Sequence, residues 1–84
     1  MSELRAEVEK AVADALNVAL PELDQVDPDA ALTGDLGLDS VQIMNLVMEI
    51  EDNLDLSVPV DVLAEVRTLN QLIEKLVALK EKQA

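Results

Sequence analysis

Apolar residues recur at intervals of three and four in separate stretches of the chain, the spacing of one face of an α-helix. The first stretch carries Leu4, Val8, Ala11, Val12, Ala15 and Leu16. Ser2 precedes it as a candidate N-cap, with Glu3 in the first turn, where the helix dipole favours an acid. Pro21 fixes its own backbone and biases its predecessor away from helix, so this helix should end near Asn17 to Ala19. A second helix is predicted from Asp39 or Ser40, either of which can cap it, to about Asn53. Ser57-Val58-Pro59 then leads to a brief helix over Asp61 to Glu65. Thr68 is placed to cap the last helix, whose inner face holds Leu69, Leu72, Ile73, Leu76, Val77 and Leu79. Between the first two helices, residues 20–38 contain the turn-prone Asp27-Pro28-Asp29 and Gly34-Asp35-Leu36-Gly37. Their apolar members Leu23, Val26, Ala31, Leu32, Leu36 and Leu38 predict a long loop packed on the bundle. No strand-like alternation of useful length interrupts this pattern, so the expected fold is all-α: one domain over 1–84, with three main helices and one short one.

The second helix carries more apolar surface than one core contact needs. On a wheel of about 100° per residue, Leu46, Val47, Ile50 and Leu54 fall within about 60° of Ile43 and form the core face. Val41, Met44 and Met48 cluster roughly 130° away. Two arrangements explain the second group. The helix is central and packs on two sides, or the group is an exposed apolar strip ringed by acids, where adaptable methionines suit docking. The wheel does not choose between them.

Charge sharpens the picture. The net charge is −12, and from Ala11 to Val66 acidic residues occur without a single basic one. A nucleic acid partner is disfavoured, because phosphate contacts need Lys and Arg. A positively charged protein partner is favoured, although an acidic surface also serves solubility. The absence of Cys and His removes thiolate metal sites, the usual general base and any Ser-His-Asp triad. Twelve-residue calcium loops with a closing Glu are absent too. No apolar run reaches the roughly 20 residues that span a bilayer, and a charged-then-apolar signal pattern is missing. A cytoplasmic, monomeric protein with no catalytic residues, no metal site and no membrane insertion is expected. With no aromatic residue, the interior must be filled by Leu, Val, Ile, Ala and Met.

Ser40 follows Gly37-Leu38-Asp39 at the junction of loop and second helix. A serine there is ordinarily a cap, and spacing alone does not mark it as modified. The surrounding residues add more. Asp35-Leu36-Gly37-Leu38-Asp39-Ser40-Val41 resembles the signature of the acyl carrier proteins. Val26-Asp27-Pro28-Asp29 with Leu32, the helix body Leu46-Val47-Met48-Glu49-Ile50-Glu51-Asp52, and Val58-Pro59 are similar to the family's flanking segments. The resemblance thus covers essentially the whole chain. It implies a four-helix acyl-carrier-type bundle in up-down order with a long first loop. It also implies 4′-phosphopantetheine on Ser40, added from coenzyme A by a phosphopantetheinyl transferase, with acyl groups held as thioesters. Asp39, Val41, Met44, Met48, Glu51 and Asp52 would then meet partner enzymes, namely the transferase and acyl-loading and acyl-transfer enzymes with basic docking patches.

Four positions depart from the commonest fatty-acid-synthesis pattern. Gln42 and Asn45 are neutral where acids are frequent, Val41 replaces Leu, and Leu54 stands where Phe is usual. These departures suggest a carrier dedicated to one pathway, with fatty acid, polyketide or related lipid assembly all open. A competing reading from another class is a helical interaction module without a prosthetic group. There Ser40 would be only a cap and the methionine strip the whole binding site.

Overall fold

The computed structural model describes residues 3–23 and 26–83. Helix α1 spans Glu3–Ala19, α2 Ser40–Leu54, α3 Val60–Glu65 and α4 Leu69–Gln83. The expected cap at Ser2 lies outside the described residues. Each long helix buries most of its predicted stripe: Val8, Ala11, Val12, Ala15 and Leu16 from α1, Leu46, Val47, Ile50 and Leu54 from α2, and Leu69, Leu72, Ile73 and Leu76 from α4, while Leu4 and Ile43 are only partly buried. Val77 and Leu79 are only partly buried against this core. Thr68 caps α4 as expected, its hydroxyl accepting from the Gln71 amide at 3.2 Å. The Gln71 side chain in turn accepts from the Thr68 amide at 3.3 Å, so the two residues close a reciprocal cap.

Hydrogen bonds at both ends of the bundle set the helix directions. Leu38, just before α2, donates to Leu32, and Leu32 donates to Arg67, just before α4. At the other end, Lys80 of α4 reaches the Leu54 carbonyl at 2.7 Å, and Gln83 exchanges two bonds with the Ser57 backbone. Helices α2 and α4 therefore run in the same direction. Helix α1 runs against them: Leu16 and Asn17 lie opposite Leu69 and Asn70, while Asn53 of α2 bonds the Ala11 carbonyl at 3.1 Å. The order is up, down, down rather than strictly alternating. After α2, a helix of about 22 Å, the segment 55–68 brings the chain back along the bundle before α4 begins.

The long loop is held down as its apolar content predicts. Leu20, Leu32 and Leu38 are buried, and Leu23, Val26 and Leu36 pack on the core. Its polar residues close turns locally: the Asp27 carboxylate accepts from the Asp29 amide, and that of Asp35 from the Ala31 amide. Asn70 then ties the loop to α4, donating its backbone amide to Pro28 and its side chain to Asp29. An isolated antiparallel bridge joins Ala31 to Thr68. That pairing was not evident from any alternating pattern in the sequence.

Candidate functional site

The junction that presents Ser40 is built from three neighbours. Leu38 is buried and fixes the chain to the core. Gly37 takes φ +69°, a left-handed conformation that strains any side-chain-bearing residue, and so lets the loop turn into the helix. Asp39 then caps α2. Its carboxylate accepts from the Gln42 amide at 2.8 Å, and the Gln42 side chain accepts from the Asp39 amide at 3.0 Å. Of the two candidate caps, Asp39 fills the role. Ser40 is the first helical residue, exposed, and its hydroxyl makes no hydrogen bond among the described residues. The ordinary structural use of a serine at this place is thus taken by its neighbour. Gln42 was read from sequence only as a missing charge. Its spacing of three from Asp39 is that of a capping box, and this signal could have revealed its role.

The second apolar group of α2 faces out. Val41 is 66%, Met44 48% and Met48 58% exposed, which decides between the two arrangements that the wheel left open. Ile43, placed at the centre of the core face, is only partly buried. Asp39 and Asp52 are exposed. None of the chain's three described ion pairs, Arg5–Glu9, Lys10–Asp14 and Lys75–Glu65, involves a carboxylate of α2. Val60, 72% exposed at the start of α3, is a further apolar surface residue that the sequence reading passed over by starting the helix at Asp61. Glu51 differs from the other expected recognition residues: it is partly buried, and its carboxylate accepts from the Val58 amide at 2.7 Å.

A cleft of about 420 Å³ opens elsewhere, among Val12 and Leu16 of α1, Leu23 and Val26 of the loop, and Leu69 and Ile73 of α4. No residue of α2 lines it. The face of α2 that turns inward is close-packed instead, with Leu46 and Ile50 fully buried. What the Ser40 end offers is therefore a surface: a free hydroxyl on a helix start, next to exposed apolar side chains and unneutralised acids.

A primary alcohol so placed can take a tethered group without breaking a bond that the fold uses. The amides of Ser40 and Val41 are likewise unpaired among the described residues, while those of Gln42 and Ile43 bond Asp39. An anionic phosphodiester on Ser40 would meet these amides and the positive end of the α2 dipole. These residues thus fit the group that the sequence resemblance implies.

Comparison with known proteins agrees. The PP-binding family, described as the phosphopantetheine attachment site, matches residues 6–76. The acyl carrier protein of Amoebophilus asiaticus is 37% identical over 76 residues, covering 90% of this chain and 91% of that protein. The acyl carrier protein of Porphyromonas gingivalis is 35% identical over 74 residues, covering 88% and 91%. That of Cyanidioschyzon merolae is 32% identical over 74 residues, covering 88% and 78%. The chain belongs to the acyl carrier protein family, whose members carry phosphopantetheine and act as carriers, not catalysts.

Proposed function

We propose that Ser40 is the attachment residue and that the chain works as a single carrier domain over 1–84. The observation that supports this reading most directly is the division of labour at the start of α2: Asp39 and Gln42 satisfy the cap, which leaves the exposed Ser40 hydroxyl uncommitted. When bound, 4′-phosphopantetheine supplies a thiol that holds the acyl group as a thioester. The chain's own part is to present that attachment point and to be recognised. Asp39, Val41, Met44, Met48 and Asp52 form the recognition surface, the apolar side chains giving contact area and the acids steering enzymes with basic patches. The phosphopantetheinyl transferase is the first such partner, and acyl-loading and acyl-transfer enzymes follow. The loaded chains belong to fatty acid, polyketide or related lipid synthesis, and the neutral Gln42 and Asn45 favour a carrier dedicated to one of these pathways.

Intact mass tests the assignment. Coexpression with a permissive phosphopantetheinyl transferase should add about 340 Da to the wild-type chain, and Ser40→Ala should abolish the gain. Because the hydroxyl supports nothing in the fold, Ser40→Ala should change stability by less than about 0.5 kcal/mol. An unchanged mass in the wild-type chain, or modification that survives Ser40→Ala, would refute the assignment.

A further inference from the structure

The segment that follows α2 turns on one residue. Asp55 adopts a left-handed conformation, φ 54°, and closes the helix. Its amide and that of Leu56 both donate to the Glu51 backbone carbonyl. The Ser57 amide donates to the Gln83 side chain at 3.3 Å. The Val58 amide donates to the Glu51 carboxylate at 2.7 Å, and Pro59 has no amide to place. Three of the four amides between α2 and Pro59 thus end on Glu51, two on its carbonyl and one on its side chain.

Helix α3, which begins two residues after Val58, is held to the core only through the partly buried Val62 and Leu63. It is six residues long, none of them is buried, and no side chain caps its start at Pro59. Its far end is tied by the Lys75–Glu65 pair and by the Arg67 carbonyl, which accepts from Leu32. The near end depends on Val58, only 9% exposed, being kept against the bundle. On the α2 wheel Glu51 lies about 20° from Met44 and 60° from Met48. The carboxylate that holds Val58 therefore springs from the same edge of α2 as the methionines.

We infer that Glu51 is a positioning residue: its carboxylate fixes the start of α3 beside the methionine-bearing edge of α2, and its charge is not what a partner reads. Reach, not charge, is then the property that matters at this position. The inference does not depend on Ser40 being the attachment residue.

Two conservative variants of the full chain separate reach from charge. Glu51→Gln keeps the length and an acceptor oxygen but removes the charge, whereas Glu51→Asp keeps the charge but is one methylene shorter. Amide hydrogen exchange followed by NMR reads the Val58 bond directly. Val58 in Glu51→Gln should exchange within about threefold of wild type, while in Glu51→Asp it should exchange roughly tenfold faster or more. The transfer rate from coenzyme A gives a second reading, with KM for Glu51→Gln expected at the wild-type value. The inference is overturned if Glu51→Asp keeps Val58 protected. It is equally overturned if Glu51→Gln keeps Val58 protected yet raises KM severalfold, since charge would then be the recognised property. If the wild-type chain accepts no phosphopantetheine, the attachment assignment fails, and the exchange comparison still decides the role of Glu51.

Discussion

At Asp39 a side chain that the resemblance assigns to partner recognition is also the one that caps α2. The two roles use different properties. Capping needs an acceptor oxygen, which Asn supplies nearly as well as Asp, while Ala supplies none. Recognition by a basic partner needs the negative charge. Asp39→Ala should lower stability by about 1 kcal/mol, a fall in Tm of roughly 4–8 °C for a domain of this size. Asp39→Asn should melt within about 2 °C of wild type and yet be modified more slowly by the transferase. Thermal denaturation and transfer kinetics on the same two variants check both halves. Equal slowing in Ala and Asn with no difference in Tm would show that the cap bond contributes nothing.

Helix α2 as an element presents two apolar faces and a C-terminal end, each in a different environment. Leu46, Val47, Ile50 and Leu54 meet the core. Val41, Met44 and Met48 meet solvent. The carbonyl of its last residue, Leu54, accepts from Lys80 of α4, so a cation at the end of this acidic helix comes from another element. The N-terminal half of the exposed face is neutral at Gln42 and Asn45. The cap does not demand this, because Glu would reach the Asp39 amide as Gln42 does. The double variant Gln42→Glu, Asn45→Glu should therefore fold as stably as wild type. It should also be acylated severalfold faster by fatty-acid-synthesis enzymes whose docking patches are basic. Comparing acylation rates for the two proteins checks this. Wild-type turnover that is already efficient with the whole set of those enzymes would remove the case for a dedicated carrier.

Over the whole molecule, the charge map and the core oppose each other. The buried set is entirely aliphatic, from Val8 to Leu76. It is enclosed by a surface of net charge −12, whose three described ion pairs are exposed and weak. Repulsion among carboxylates spread from Asp14 to Glu65 is therefore a standing cost to the compact state. Added salt screens it within a Debye length of about 10 Å at 0.1 M. Melting temperature should rise as sodium chloride is raised from low ionic strength, as differential scanning calorimetry can read. A steady fall would mean that the few ion pairs outweigh the repulsion.

The helices, their inner stripes and the long packed loop were legible in the sequence because spacings of three and four, prolines and turn residues act locally. The signature around Ser40 was legible for the same reason, being a contiguous run. What the sequence left open were choices between neighbours in space. Whether Asp39 or Ser40 caps α2 depends on which side chain reaches the Gln42 amide once Leu38 is anchored and Gly37 has turned. Whether Val41, Met44 and Met48 are core or surface depends on which faces the other helices cover. The parallel course of α2 and α4 rests on bonds between residues 26 apart, such as Lys80 with Leu54. The grip of Glu51 on Val58 exists only because a left-handed turn at Asp55 folds the chain back onto the helix it has just left. Local pattern determined which segments are helical and which face of each is apolar. Tertiary packing decided which hydroxyl, which methionines and which carboxylate remain free, because that depends on what else occupies the space around them.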